Sequence, residues 1–511
     1  MRWPWTKRES RRRGGIAMRG FAAAEVDRLL AGWKWDGGYS AQEITAQLPL
    51  MRSRSREMAK NSAHSKRFLK LGATNIVGEG FAFKSTPHDE PRGKSGERTL
   101  DDAAARFIQY HWWRFCTARD PLTLRTYFDA TGRKTEAEVD RLNAKTWLRD
   151  GEYFMLIEPA ANPYGITFRV VRPDACPEWY NADRLENGNI VRCGVELSFP
   201  DLAPVAYYFR TEPDYAYVVT SRGPLTRIPA HRVIHGFTQE DEDQPRGVPE
   251  THAAIIKLKM LEEYDKAELT AARDEACSLR SYYAPKGDGE EIADLTSEDN
   301  SDVAAALIAE KEPGQSEVLP IGWKQEVHTP QHPNREVTPF KVSMLKDVAT
   351  GFGVEYSAWA NDWSGVSFSS VRSGTICERD MWMVMQADMI SQSKVRQFMA
   401  WMRSFLSLSI SGDLPPEKFN KFAEHMFRGR RWMWVQPVDD MKAAEMAVAH
   451  GWKTNEQVTS DLGGDFDDNC ETLGREQPAV EKLGLGPINP NATKEETGGN
   501  DETQKQEAVK P

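Results

Sequence analysis

Between Asn334 and Arg403 the apolar positions fall into two helical patterns separated by a stretch with no period. Val337, Phe340, Met344, Leu345 and Val348 recur three or four residues apart, so the first helix has one apolar face, with Lys341, Lys346 and Asp347 away from its centre. It is expected to stop near Gly351 or Gly353. Val354 to Gly365 carries Ser, Asn, Asp and Gly without alternation, which predicts a loop. Ser367, Ser369 or Ser370 is placed to cap a second, long helix through Met381, Met385, Met389, Phe398 and Met402.

Upstream, short helical patterns over 22–50 lead into a firmer helix from Arg52 to Leu71 and a strand from Asn75 to Phe83. Helices follow over Leu100–Phe115 and Leu122–Leu148, the second with a break at Gly132. Tyr153–Ile157 and Ile166–Val171 are β-rich runs joined by Asn162-Pro-Tyr-Gly165, a hairpin signature; Ile190–Phe199, Val205–Phe209, Ala216–Val219 and His231–Phe237 continue the strand pattern. After Pro249, Glu250 to Ala276 holds neither Gly nor Pro, and Ile255, Leu258, Leu261, Leu269 and Ala272 form its apolar stripe. Such a helix extends ~40 Å at ~1.5 Å per residue. Its mixed charges suit a solvated face or salt links between neighbouring copies. Strands over 281–284, 316–319 and 324–328 bracket a short helix over 301–311. Phe405–Ile410 reads as a strand or buried turn, and Asp440–Gly451 and Asn455–Leu462 read as helices. The fold class is therefore mixed α+β.

Length and charge narrow the picture. At 511 residues the chain holds roughly two to four domain-sized units of ~100–200 residues. Hydrophobic residues are 40% and charged residues 28%, so most of it should fold. The exceptions are a basic arm, with Arg2, Lys7, Arg8, Arg11, Arg12, Arg13 and Arg19 against Glu9, and a polar tail over 485–511. The arm suits nucleic acid or an acidic neighbour, or is a solvated terminus. The net charge of -10 argues against a simple cationic DNA clamp. Between Gly287 and Glu312 nine acids face only Lys311, a local excess close to that of the whole chain. Six scattered cysteines without a CxxC pair predict reduced thiols, and no apolar run approaches the ~18–20 residues of a membrane span.

Two strings carry a resemblance. Asp347-Val-Ala-Thr-Gly-Phe-Gly-Val-Glu-Tyr356 followed by Trp363-Ser-Gly-Val-Ser-Phe-Ser-Ser-Val-Arg372, together with Val233-Ile-His-Gly-Phe237 and Gln244-Pro-Arg-Gly-Val-Pro249, resemble the lambda-like portal proteins of tailed phages. The likeness runs from about Met58 to about Leu485. It implies a ring, usually of twelve subunits, at one capsid vertex, with double-stranded DNA passing through its centre. The implied layout is a basic arm and short helices (1–50), an α/β wing (51–249), stem helices (250–276 and 334–353) flanking an α/β clip (277–333), a tunnel loop (354–367), a long wing helix (368–411), a wing and helical crown region (412–484) and the tail. In this layout Glu355, Tyr356, Trp359, Asn361, Asp362, Trp363, Ser364 and Gly365 form the DNA-facing loop. It offers bulk and hydrogen bonding without a cation, which suits sliding, although either Trp can instead pack between subunits. Asp288, Glu290, Glu291, Asp294, Glu298, Asp299 and Asp302 form an acidic clip that docks the motor or adaptor, unless they are only a solvated loop. The implied partners are further copies of the chain, DNA, the terminase large subunit, the major capsid and scaffold proteins and a head-tail connector, with no membrane.

No catalytic residue, metal or cofactor is expected. Gly78 to Ser85 ends in Lys84-Ser85 like a phosphate-binding loop, but Phe83 stands where that loop needs glycine and the setting is a strand. His231 and His235, four apart in a strand, would lie ~13 Å apart, too far for one metal ion. Two rival readings are a metal-dependent nucleic-acid enzyme, which needs converging carboxylates, and a monomeric binding module acting through its basic arm.

Overall fold

The computed structural model describes residues 41–89, 98–210, 224–276, 280–283, 324–327, 336–412 and 414–482. The basic arm, the strand expected over Ala216–Val219, the clip acids Asp288, Glu290, Glu291, Asp294, Glu298, Asp299 and Asp302, and the tail lie outside these residues.

Two helices open the described chain, α1 (Ala41–Asn61) and α2 (Ala63–Ile76). The single helix expected over 52–71 is divided at Ser62, which is extended and accepts the Ser65 amide on its own Oγ at 3.2 Å, capping α2. The strand expected over 75–83 shrinks to β1 (Ala82–Ser85), because α2 runs on to Ile76 and Gly78 and Gly80 then turn the chain at positive φ. Next come α3 (Asp102–Thr117), capped by Asp101, and α4 (Glu136–Asp150), opened by a capping box of Thr135 and Glu138. The helix expected over Leu122–Leu148 begins only at Glu136, and residues 122–134 are turns. Asp120 accepts the Leu122 and Thr123 amides, and Asp129 those of Arg133 and Lys134.

β2 (Glu152–Pro159) is the centre of an antiparallel three-stranded sheet, between β3 (Ile166–Val171) and β8 (Val233–Phe237). The intervening β4 (Ile190–Arg192), β5 (Val195–Leu197), β6 (Pro204–Arg210) and β7 (Leu225–Pro229) form a second, four-stranded antiparallel sheet. Cys193 and Gly194, both at positive φ, turn the expected strand 190–199 into the β4–β5 hairpin. Helix α5 (Ile255–Ala276) leads to β9 (Arg280–Tyr283), which pairs with β10 (Lys324–Val327). Helix α6 (Val337–Phe352) ends as expected at Gly353, whose φ of 68° is the left-handed cap.

A short helix α7 (Tyr356–Ala360) interrupts the expected loop. Ser367 caps α8 (Phe368–Met389), which passes through one π-helical turn (Ile390–Lys394) into α9 (Val395–Leu406). Past Leu406 a 3-10 turn (Ser409–Ser411) with Ser411 buried decides between the strand and the buried turn expected over 405–410 in favour of the turn. Beyond α10 (Phe419–Phe422), β11 (His425–Arg428) pairs with β1, and α11 (Pro437–Ala449), α12 (Asn455–Asp461) and α13 (Phe466–Lys482) follow.

The long helix serves two cores. Trp382 and Met389 enter the first with Phe68, Trp147, Leu258, Val348 and Phe352; Phe398, Trp401 and Phe405 enter the second with Trp112, Phe115 and Phe168. A third, with Phe154, Tyr207, Phe209 and Val233, joins the two sheets.

Two buried charge clusters tie these parts together. Glu152, in β2, accepts Arg246 Nε at 2.9 Å, the guanidinium of Arg52 in α1, and the Gly247 amide at 3.1 Å. Arg246 and Arg52 hold its carboxyl well below the usual range against the opposing effect of burial. In the second, Lys394 of the π turn reaches Asp140 of α4 at 2.8 Å and Gln397 at 3.0 Å. Burial pushes the Lys394 ammonium down and the Asp140 carboxyl up, disfavouring the charged form of each.

Candidate functional site

The segment joining α6 to α8 is held at both ends. The side chain of Glu355 accepts the Ala358 amide at 2.7 Å, capping α7, while its own amide donates to Glu378 of α8 at 3.1 Å. Asn361 ends α7 in the left-handed conformation. Asp362 then gathers the chain: Tyr356 Oη donates to its Oδ2 at 2.8 Å and the Ser364 amide to its Oδ1 at 3.1 Å. Ser364, then Tyr356, keep its carboxyl below the ordinary range, and burial followed by Asp362 pushes the Tyr356 phenol up to about 12. An Asp-organised turn is thus fixed while its outer surface stays open.

The two tryptophans separate. Trp363 is 53% exposed and Phe368, at the start of α8, 61%. Trp359 is 1% exposed, which corrects its reading as a DNA-facing or subunit-bridging side chain. Its Nε1 donates to the His64 carbonyl at 3.0 Å, its ring lies 5.0 Å from the His64 ring and 5.6 Å from Phe352, and it is part of the first core. Its position on one turn of α7, beside Ser357, gives it an inward face that a loop would lack. Gly365, at φ 68°, has nothing near the place a Cβ would take, so its backbone sets the turn and its surroundings are open.

A cavity of about 460 Å³ lies between α6 and the loop, lined among others by Val342, Lys346, Thr350, Tyr356, Ser364 and Gly365. Lys346 Nζ stands 5.5 Å from the centre of the Tyr356 ring. The loop itself is uncharged by cations, as its sequence implied, yet α6 supplies one beside it. The signal was present: Lys346 lies ten residues before Tyr356, on the polar side of a recognisable helix.

The helices that frame the loop are tied within the chain. Lys257 of α5 meets Asp347 of α6 at 3.0 Å, and Lys341 meets Asp265 at 2.6 Å. These charges, read from sequence as solvated or bridging between copies, pair α5 with α6. Leu258 and Leu261 of the expected stripe are buried, whereas Leu269 is 71% exposed.

Other sequence candidates have structural partners. Lys84 lies in β1 and is bound by Asp465 at 2.9 Å and Asp467 at 3.1 Å. His231 sits in the 3-10 turn Ala230–Arg232 rather than in a strand, and His235 Nε2 is 3.0 Å from Glu152. Among the described residues no cluster of three or more His, Cys, Asp or Glu is arranged to hold a metal, and no helix is long and apolar enough to cross a membrane.

Residues 26–386, which include α5, α6, the loop and most of α8, match the family model described as phage portal protein, lambda family. The chain is 28% identical over 473 residues to the "Probable portal protein" of Halomonas phage phiHAP-1, covering 91% of this chain and 88% of that one. It is 20% identical over 463 residues to portal protein B of Escherichia phage lambda, covering 85% and 84%. Among solved structures, a chain from the virion of a native gene transfer agent particle superposes with a TM-score of 0.46 at 11% identity, covering 82% of this chain and 93% of that one.

Proposed function

The chain belongs to the lambda family of phage portal proteins, and from that premise we propose that it acts as one copy in a closed ring of twelve at a capsid vertex, with double-stranded DNA passing through the centre. The observation that carries the reading is the family match running through α5, α6 and α8 to the loop they hold. In the proposed assembly α5 and α6 form the stem, the β2–β3–β8 sheet with α3, α4 and α9 forms the wing, and α11 to α13 form the crown. The DNA-facing surface comes from the loop's open side: Trp363, Ser364 and Gly365, with Glu355, Tyr356, Asn361 and Asp362 fixing their backbone. A surface with little positive charge gains little from counterion release, so a polyanion can move past it. The acidic run from Asp288 to Asp302 would serve the terminase large subunit during packaging and the connector afterwards. The capsid and scaffold proteins would surround the wing in the host cytoplasm. Translocation energy would come from the motor, and this chain would contribute positioning rather than covalent chemistry.

Negative-stain imaging of the purified chain tests this. A ring with a central hole is expected, and symmetry averaging counts the copies. Particles that stay monomeric across salt and concentration would refute it.

A further inference from the structure

If the loop offers DNA a surface to slide on, phosphate must be held elsewhere on the chain, and cations without counter-charge mark where. Helix α8 leaves the loop at Ser367 and carries Arg372 and Arg379 seven residues apart, two turns along one face, ~10 Å from each other at ~1.5 Å per residue. Both line a groove of about 420 Å³ between α8, the segment 432–435, α11 and α12, with Trp432 and Lys453. Arg372 is matched by Asp440 at 2.9 Å and Lys453 by Asp461 at 2.7 Å. Arg379 and its neighbour Arg430 are not matched: among the described residues neither makes an ion pair.

Arg430 donates only to neutral oxygens, the Thr74 carbonyl at 2.7 Å and Asn75 Oδ1 at 3.4 Å. Arg379 stacks 5.7 Å from the centre of the Trp432 ring, and its buried Nε has no hydrogen-bond partner. Burial and then the charge of Arg430 make its protonated form less favourable than usual, and the more distant carboxylates of Asp440 and Glu378 offset this only in part. Of these four cations only Arg372 and Lys453 have an ion-pair partner among the described residues, in an overall acidic chain.

We propose that Arg379 and Arg430, flanked by Arg372 and Lys453 and backed by Trp432, form a binding site for the phosphodiester backbone of double-stranded DNA. The proposal rests on the portal reading and gives it a second contact of opposite character: a grip one to three helical turns from a sliding surface. The planar forks of two arginines suit adjacent phosphate oxygens, and Trp432 holds one fork flat and ready. The surplus of two cations is what the acidic side chains of a second copy would also satisfy, and the test separates the two.

The test uses the full-length assembled chain and a labelled 30-base-pair duplex, with anisotropy read across ~0.05–0.2 M salt. Each lost phosphate contact lowers the slope of log affinity against log salt by ~0.9, so for every copy that touches the duplex Arg379→Gln should flatten it by about 1 and R379Q/R430Q by about 2. Arg379→Lys should keep most of it. Arg379→Gln removes no hydrogen bond of the described residues, so it keeps the test open should the double variant misfold. Inorganic phosphate at millimolar concentration should compete weakly; equal competition with no dependence on duplex length would reduce the site to a free-anion pocket. Variants that assemble poorly yet bind DNA unchanged per ring would assign the arginines to a neighbouring copy. A ring whose salt slope ignores both substitutions overturns the site alone, whereas a chain that forms no ring removes the reading beneath it.

Discussion

Replacing Trp359 and Trp363 by alanine, one at a time, should produce opposite phenotypes four residues apart. Trp359 is 1% exposed, packs on Phe352 and His64 and donates its indole N–H to the His64 carbonyl, so Trp359→Ala opens a core cavity and strands an acceptor. Truncating a buried Trp costs ~3–5 kcal/mol. For a cooperative unit of ~150–250 residues each kcal/mol lowers Tm by ~2–4 °C, so a fall of roughly 10 °C is expected in the transition containing α2, α6 and α7. Trp359→Phe keeps most of the packing and loses the hydrogen bond, costing ~1–2 kcal/mol. Trp363, half exposed and without a core contact, should shift stability by less than ~0.5 kcal/mol. Thermal melting of each variant, paired with a DNA packaging assay on assembled rings, reads both effects. Trp363→Ala should alter packaging at unchanged Tm. A Trp359→Ala protein that melts like the parent would refute the core assignment, and a large loss of stability in Trp363→Ala would refute its exposure.

Other outcomes can be checked with the same melting assay. Lys394→Met should cost ~3–5 kcal/mol by leaving the buried carboxyls of Asp140 and Glu136 without their cation, and adding Asp140→Asn should recover part of that, since one of the two no longer has to be kept protonated. Glu196 is held down to about 2, by Arg227 first and then, against burial, by Asn189, Asn187 and Tyr208. Its folded pKa is depressed, so its contribution is complete above the unfolded carboxylate pKa of ~4.3 and is lost as pH falls toward 2; Glu196→Gln should flatten the fall in Tm across that window. Gly247→Ala should abolish soluble folding, because a Cβ there would lie 2.0 Å from the Gly151 carbonyl oxygen, a backbone atom that cannot step aside; normal yield and Tm would contradict the packing.

Much of the fold was legible because periodicity reports burial. The β2–β3 hairpin, α3, α6 with its glycine stop and the Ser367 cap all follow from spacing and cap chemistry. What escaped depends on contacts distant in the chain. β1 and β11 are separated by more than three hundred residues, so the strand expected over 75–83 was placed too early and its partner β11 was not seen. The turns at 122–134 were read as helix because their apolar residues are spaced permissively, while Asp120 and Asp129 redirect the backbone amides. At the loop, composition located the segment but not its inside. A helix of five residues has too few positions to show a period, and only the partner side of α2 and α6 reveals that Trp359 turns inward.

The π-helical turn at Ile390–Lys394 changes the phase of the long helix. Up to that turn the buried positions run 382, 386, 389; beyond it the buried face widens to pairs, 393 and 394, 397 and 398, 401 and 402, 405 and 406, and its large apolar side chains Phe398, Trp401 and Phe405 fall one place later than an uninterrupted α-helix would put them. One extra residue rotates the distal half by about 100°, so a single rod can face two cores that do not lie on the same side of it. Removing any one residue between 390 and 394 would turn Phe398, Trp401 and Phe405 out of their core while leaving Trp382 in place. The end of the rod that meets the α6–α8 loop would keep its core while the far end lost its own, so one residue's worth of winding decides which side each end buries.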